Sequence, residues 1–524
     1  MTRFSRLAGA FGLLCASLPA HAQAAPARSR PTLVVLITID QFRADYLDRF
    51  AGQLTGGLAR FTRDGAWFTN AHHDHAITET APGHATLLSG RFPRSTGIMM
   101  NRIGVDDKAS PLLAGAPGAG ASPKRFVGTT LVDWMTDQDR ESRAFSVSSK
   151  DRAAILPVGR SRAEVYWYAT DGRFTTSRYY RDTLPAWVTA WNARGFPQSF
   201  AGRSWDLLLP ADRYPEPDSV EAEGGSGFTF PHLIPDDPAT AANLVRGTPF
   251  IDHITLSFAL HGIQSLALGA GAHTDLLNIS LSGTDYIGHR YGPDSREIHD
   301  QILQVDRALG AFVDSLYRLR DSSRVTFVLT GDHGVGTIPE LAPTTMKPAP
   351  VRVTLAGLAP ALHADLLAAH VDTNAIDLDQ PIILVDRAAF KKVGANADSA
   401  LATLADAIRK VPGVARVDRF RALLADTLTD PIARRWGHQF PANANVELVV
   451  TLTPLSTWRG NIAFHGTPYD YDTHVPLIFY GAGVRAGRQS GFVRTVDLAP
   501  TLAALAGVPV VGAIDGVRLT AAIR

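Results

Sequence analysis

The sequence predicts an α/β protein built on a mostly parallel central sheet flanked by helices, with inserted cap subdomains. Three observations carry that reading. Residues 33–39 are a continuous apolar, β-branched run, the pattern of a strand buried on both faces, and 276–281 and 325–329 read as two further strands. Each run leads into acidic residues, namely Asp40, Asp285 in Gly283-Thr284-Asp285, and Asp332 after Gly331. Ligands of open α/β sheets gather at the carboxyl ends of the strands. Between the second and third runs, Ile298, Ile302, Val305, Leu309 and Phe312 recur at helical spacing, so a long amphipathic helix is expected from about 295 to 319.

The chain has 524 residues, room for one large domain with insertions or for two to three domains. Apolar residues make up 45% and charged residues 19%, a globular rather than disordered composition. The formal net charge of +1 gives no general attraction to nucleic acid or to an acidic membrane surface, so any anion site must be local. Arg3 and Arg6, an apolar stretch from Leu7 to Leu18 and the small-x-small triplet Ala20-His21-Ala22 read as a secretory signal over residues 1–22, cleaved after Ala22. The apolar stretch is too short to span a bilayer, which takes about 20 residues. Export to the periplasm or the medium is therefore expected. The single cysteine, Cys15, lies inside that signal. The mature chain is expected to have no disulfide and no thiolate ligand, which leaves His and carboxylate as metal donors, a set that suits zinc.

In chain order, residues 23–31 read as a flexible leader and 32–344 as the catalytic core. After the strand 33–39, one helix is expected from about 45 to 63. Residues 67–75 read as a link, and 85–88 as the start of a helix packed on the sheet. Residues 144–148 read as a strand. Residues 187–249, rich in Pro, Asp and Gly, read as an insertion wrapped on the core. From about 345 to 458 candidate strands and helices alternate, which suggests an inserted α+β subdomain. The core returns over 459–524, with a strand at 475–480 and a last helix at 497–506.

The chemistry-bearing residues cluster by position. Thr80 lies in Thr78-Glu79-Thr80-Ala81-Pro82-Gly83-His84, two residues before a Pro-Gly pair. A helix can begin there, with its amides facing bound anions. Alone, such a threonine is usually a cap or turn residue. Asp40, Asp285 with His289, Asp332 with His333, and His465 all fall on strand ends or adjoining loops, with ligand types and spacings that suit metal. Taken singly, each has an ordinary explanation as a cap or a hydrogen-bonded loop residue. Together they favour one site, and six such ligands with Thr80 suffice for two ions. His72, His73 and His75 flank the Thr80 loop and read as loop or supporting residues.

These residues resemble the alkaline phosphatase superfamily, and within it the bacterial periplasmic phosphatases related to nucleotide pyrophosphatase/phosphodiesterases. The likeness runs over nearly the whole mature chain. It rests on the Thr80-x-Pro82-Gly83-His84 loop, Ser148-x-Lys150-Asp151-Arg152, Asp285-x-x-x-His289, Gly331-Asp332-His333-Gly334 and His465-Gly466, in that order. The resemblance implies a phosphomonoesterase with two zinc ions and Thr80 as nucleophile, working through a phosphothreonine. One ion would take Asp285, His289 and His465, and the other Asp40, Asp332, His333 and the Thr80 oxygen. Asn101, Lys150 and Arg152 would bind the phosphoryl group, and His474 would be a supporting residue. Small phosphate monoesters would be the partners, with no nucleic acid, no stable membrane insertion after signal removal, and a monomeric chain.

Lys150 and Arg152 match the extra charge of a monoester, because cationic side chains neutralise it and arginine binds two oxygens in a fork. An extended Lys-x-Arg segment would place both on one face. Phosphodiesterase or nucleotide pyrophosphatase activity is the alternative with the same metals and nucleophile. A non-catalytic zinc-dependent binding protein is the alternative from another class. A sulfatase is disfavoured, since the mature chain lacks the cysteine from which formylglycine forms.

Overall fold

The computed structural model describes residues 1–2, 30–424, 429–460 and 462–524. The signal segment with Cys15, and nearly all of the leader, lie outside the described residues. The core is a ten-stranded sheet. Its strands are β1 (Leu33–Ile39), β2 (Ala66–His72), β3 (Ala144–Ser148), β4 (Glu164–Tyr168), β5 (Phe174–Thr175), β6 (Asp275–Leu281), β7 (Val325–Gly331), β8 (His474–Gly481), β9 (Gly487–Gln489) and β10 (Val493–Arg494). Their order is β9-β2-β8-β7-β1-β6-β3-β4-β5, with β10 also on β2. The middle, from β7 to β4, is parallel throughout. β8 runs antiparallel to both its neighbours, and β5 runs antiparallel to β4.

The reason for the unbroken apolar run in β1 is visible in its packing. Val35, Ile37 and Ile39 enter one hydrophobic core, while Val34 and Leu36 enter the core on the other face. A strand with a side-chain period of two and both faces covered leaves little place for polar residues, and Thr38 is the one polar side chain in the run. Each of the apolar side chains contributes about 1.5–3 kcal/mol by leaving water. β1 also sets the register: Ile39 pairs with Leu281 of β6 and with Gly331 of β7. The residues that follow these three strands therefore emerge along one edge.

Two expectations fail here. The helix expected over 45–63 is two helices, Tyr46–Arg49 and α1 (Gly57–Asp64). The long helix from residue 296 causes the break. Its Asp306 carboxylate accepts from the amides of Thr55 (2.7 Å), Gly56 (2.5 Å) and Ala59 (3.1 Å), which starts a new helix. A Cβ on Gly56 would stand 2.2 Å from the Asp306 carbonyl oxygen, so only glycine permits that approach. The link expected at 67–75 is largely strand β2. Its main partner, β8, lies about 400 residues away and pairs His474 with His72, and no local pattern announces such a pairing.

Further helices of the core include α2 (Thr80–Leu87), α3 (Asp151–Ile155), α4 (Phe250–Ser265), α5 (Gly283–Tyr291) and α6 (Arg296–Leu319), with Leu131–Gln138 and Leu498–Ala506 covering the face of the sheet that Val34 and Leu36 enter. α6 begins after Ser295, whose side chain accepts from the Ile298 amide. Between β5 and α4 the chain makes short helices and a hairpin of Ser204–Trp205 with His232–Leu233. Asp300 of α6 pins this segment by accepting from Trp205 Nε1 (2.7 Å) and Tyr214 OH (2.6 Å). Between β7 and β8 lies a four-stranded antiparallel sheet, ordered Ile376–Asp377, Ile382–Val385, Val446–Leu452 and Val414–Arg419. The helices Ala359–Ala368 and Ala397–Arg409 contribute to its own core of Leu366, Leu401, Leu404, Ile408 and Val450. A second small core joins this segment to the main sheet, where Ala76, Ile77 and Met100 pack with Phe420, Trp436 and Phe440. Among the described residues, no helix is long and apolar enough to cross a membrane.

Candidate active site

The register of β1, β6 and β7 brings Asp40 and Asp332 side by side, both fully buried. The Asp40 amide donates to Leu281 O at 2.8 Å, which ties the turn after β1 to the end of β6. α5 starts immediately beyond that end and carries Asp285 and His289 on successive turns. His465 arrives from the far end of the chain. Two groups of donor atoms result, each with all atoms within 4.8 Å: Asp40, Asp332 and His333, and Asp285, His333 and His465. His289 adjoins the second group, with Nε2 3.3 Å from Asp285 Oδ1 and 3.3 Å from His465 Nε2. His333 belongs to both groups, its ring stacked 3.7 Å from that of His465.

The three histidines are oriented alike. His333 Nδ1 lies 2.9 Å from Gly334 O, His289 Nδ1 2.9 Å from Ala463 O, and His465 Nδ1 2.7 Å from Thr78 O. A backbone carbonyl only accepts, so each Nδ1 carries the proton and each Nε2 keeps its lone pair. Lone pairs of His289 and His465 thus face one another across 3.3 Å. Among the described residues, the buried atoms Asp40 Oδ1 and His333 Nε2 have no hydrogen-bond partner. Three buried carboxylates and three proton-free imidazole nitrogens are the donor chemistry of divalent metal sites, with backbone carbonyls fixing the tautomers. The residues fit metal ions.

Electrostatics point the same way. Burial, together with Asp285 and Asp332, raises the Asp40 carboxyl well above its usual range. Burial also opposes charge on Asp332, but His333 and His84 outweigh it and hold this carboxyl down. Lys150 reaches between the groups, with Nζ 2.6 Å from Asp40 Oδ2 and 2.5 Å from Asp285 Oδ2. Burial alone would lower its pKa; Asp285 and Asp40 reverse the sign and keep it an ammonium. A single ammonium among three carboxylates leaves the pocket short of positive charge, which favours cations.

Thr80 is the first residue of α2 and is buried. Its helix is pressed onto the end of β7. A Cβ on Gly83 would stand 2.2 Å from the Asp332 carbonyl oxygen, which explains the glycine after Pro82. His84 completes the contact, with Nδ1 2.9 Å from Thr80 O and 3.0 Å from Asp332 Oδ2, while the Ser280 hydroxyl lies 3.0 Å from Nε2. Asn101 closes the first turn: its Oδ1 accepts from the Ala81 amide at 2.8 Å, and its own amide donates to Glu79 Oε2 at 2.6 Å. Lys150 is extended but Arg152 lies within helix α3. The extended Lys-x-Arg segment expected from sequence does not exist, because a helix starts between the two residues and Arg152 pairs with Asp151 at 3.9 Å.

The residues 34–417 match the family model for type I phosphodiesterase/nucleotide pyrophosphatase. This chain belongs to the type I phosphodiesterase/nucleotide pyrophosphatase family. Its relatives include alkaline phosphatase PafA of Elizabethkingia meningoseptica, 30% identical over 94% of this chain and 95% of that protein. Alkaline phosphatase PhoK of a Sphingomonas species is 31% identical over 92% of this chain and 90% of that protein. The crystal structure of wild-type PafA superposes with a TM-score of 0.85 at 28% identity, covering 96% of this chain and 100% of that one. The α/β architecture with a large, mostly parallel sheet flanked by helices is thus that of an alkaline phosphatase.

In this family member several further residues support the site, and of these Gln41, Tyr286 and Arg246 stand outside the motifs read from the sequence. Gln41 touches both acidic groups, and His84 buttresses Asp332. Tyr286, on α5, stacks between two cations, with Lys150 Nζ 5.1 Å and Arg246 Cζ 4.8 Å from its ring. Arg246 also donates to Tyr286 OH at 2.9 Å, so the segment before α4 reaches the site. His73 holds the Gly331 carbonyl at 3.0 Å, directly before Asp332. His72 and His474 stack on each other across β2 and β8 at 4.6 Å, and neither joins a donor group. A signal for Gln41 exists: it follows a strand-end aspartate. Nothing in the sequence marks Arg246.

Proposed function

We propose that this phosphoric monoester hydrolase is an exported, zinc-dependent alkaline phosphatase that works through a phosphothreonine at Thr80. What supports this most is the packing of the Thr80 helix on Asp332, beside converging carboxylates and Nε2 atoms, with Lys150 in the same pocket. Asp40, Asp332 and His333, with the Thr80 oxygen, would hold one ion. Asp285, His289 and His465 would hold the other. Bound there, two zinc ions supply the positive charge that ionises a hydroxyl near neutral pH and offsets charge on phosphoryl oxygens. Thr80 Oγ attacks phosphorus in line, so the Thr80 O–P bond forms as the bond to the leaving oxygen breaks. Water then cleaves the phosphothreonine and restores Thr80. The Thr80 amide and the Asn101 Nδ2 offer donors to the phosphoryl oxygens, since Asn101 Oδ1 takes the Ala81 amide, Glu79 O takes the Gly83 amide and Pro82 has none. Lys150 and Arg152 match the second negative charge of a monoester.

The family's description favours a second reading, phosphodiester or pyrophosphate hydrolysis with the same nucleophile. Arg152→Ala compared on an aryl phosphate and on a methyl aryl phosphate diester separates the two. The monoesterase reading expects kcat/KM to fall about 10–100-fold more on the monoester, the scale of removing one charge-assisted hydrogen bond from the transition state. Equal losses on both substrates overturn it. Export is tested by the N-terminal mass of the mature chain, with Gln23 first if cleavage follows Ala22.

A further inference from the structure

Gln41 has a backbone that few side chains tolerate. Its φ is 62°, in the left-handed region, and it is fully buried at the turn after β1. A non-glycine residue there costs on the order of 1 kcal/mol or more and persists only where its surroundings hold it. The turn aims Gln41 at both acidic groups. Its backbone amide donates to Asp332 Oδ1 at 3.1 Å, and its Nε2 donates to Asp285 Oδ1 at 3.0 Å. Asp332 and Asp285 stand on different elements, after β7 and on α5. The carboxamide fits because residue 288 has no side chain: a Cβ on Gly288 would stand 1.8 Å from Gln41 Oε1.

We infer that Gln41 is a positioning residue which fixes the Asp285 carboxylate through its side chain and the Asp332 carboxylate through its backbone, tying the two metal groups into one geometry. This rests on the reading that both groups hold metal. The division of labour has a consequence. Removing the carboxamide takes a donor from Asp285 Oδ1 and none from Asp332, because any residue at 41 except proline keeps the amide that serves Asp332. Partners of metal ligands typically contribute about 10–100-fold in metal affinity.

The test uses the purified full-length enzyme, titrated with zinc against a competing chelator, for wild type, Gln41→Met and Gly288→Ala. Gln41→Met keeps the length of the side chain and removes the donor. Gly288→Ala leaves Gln41 in place and displaces its carboxamide. Two wild-type binding steps are expected. In both variants one step should weaken about 10–100-fold, with the other within about threefold of wild type. Gln41→Met added to an Asp285→Asn enzyme should then deepen the loss at that step by less than it does in wild type, as coupled residues are non-additive. Gln41→Gly, which suits a φ of 62°, should weaken the same step while leaving the metal-free melting temperature equal to or above that of Gln41→Met. Equal weakening of both steps, or no weakening of either, overturns the inference. A wild type that binds no zinc overturns the metal reading itself, a result distinct from any variant's.

Discussion

The centre at the strand ends and the inserted subdomain differ in where their space and their charge lie. Between the helices Ala359–Ala368 and Ala397–Arg409 runs a cleft of about 660 Å³ lined by apolar residues such as Leu362, Leu366, Phe390 and Leu404. Among the described residues lining it, Asp365 is the one ionisable group. The strand-end centre is tight, yet it gathers Asp40, Asp285, Asp332, His333, His465 and Lys150, all buried. Size is a fair first guide to a binding pocket, but hydrolysis of an ester needs groups that hold charge at the reacting atoms. The comparison teaches that convergence of buried charge, rather than volume, is what singles out the strand-end centre as the candidate site. The subdomain contributes from its other side. Gln439 Oε1 accepts from the Ile77 amide at 2.8 Å, and Arg434 pairs with Asp74 at 3.1 Å, so its base holds the chain that enters the Thr80 turn.

The largest expected effect is at Thr80. Thr80→Ala should lower kcat on an aryl phosphate by about 1000-fold or more, the scale of a missing nucleophile, while zinc content by elemental analysis stays at the wild-type value. A variant with both full zinc and full rate would move the chemistry elsewhere. Next is Asp332→Ala, which removes a donor. Zinc affinity should fall by at least about 100-fold, exceeding the loss from a mere supporting partner, and the rate at limiting zinc should fall with it.

Leu404 lines the cleft and is 4% exposed. Leu404→Ala should cost about 2–5 kcal/mol in the stability of the subdomain, read as a lower melting temperature, with kcat/KM within about twofold of wild type. A tenfold loss of rate at unchanged stability would make the cleft part of the reacting centre and erase the contrast.

The smallest effect concerns a buried acid outside both regions. Glu223 is raised to about 8 by burial, reinforced by Glu297 and Asp218. A carboxyl whose folded pKa lies above its unfolded one is protonated in the native state and ionised in the unfolded state between those values. Stability is therefore lost as pH rises from about 4.5 towards 8 and levels off above. Glu223→Gln should raise the melting temperature at pH 8–9, change it little at pH 4, and spare activity. The acids of the strand-end centre should behave oppositely, losing function when neutralised.

The legible part of this molecule is the part written in short periods. Residues 33–39 announce β1 because both faces are covered, and Asp40, Asp285 and Asp332 announce the site because strands end where they stand. The long helix α6 shows its apolar face at helical spacing. β2 is not legible, since Trp67 to His72 gain their strand character from β8, far along the chain. The break before α1 is not legible either, because Asp306 makes it from across the fold. The local pattern puts Arg152 on an extended segment, whereas a helix beginning at Asp151 redirects it.

By itself the sequence determined the ligand types, their attachment to the ends of buried strands, and the Pro-Gly pair near which a helix can start. These follow from composition, period and backbone freedom, all local properties. Only the tertiary structure decided which nitrogen of each histidine faces the donor groups, because the carbonyls of Thr78, Gly334 and Ala463 hold the other one. It also decided that Lys150 reaches between Asp40 and Asp285, and that Gln41 spans Asp285 and Asp332. Such choices depend on atoms that approach within hydrogen-bond distance from segments hundreds of residues apart, and no pattern along the chain records that distance.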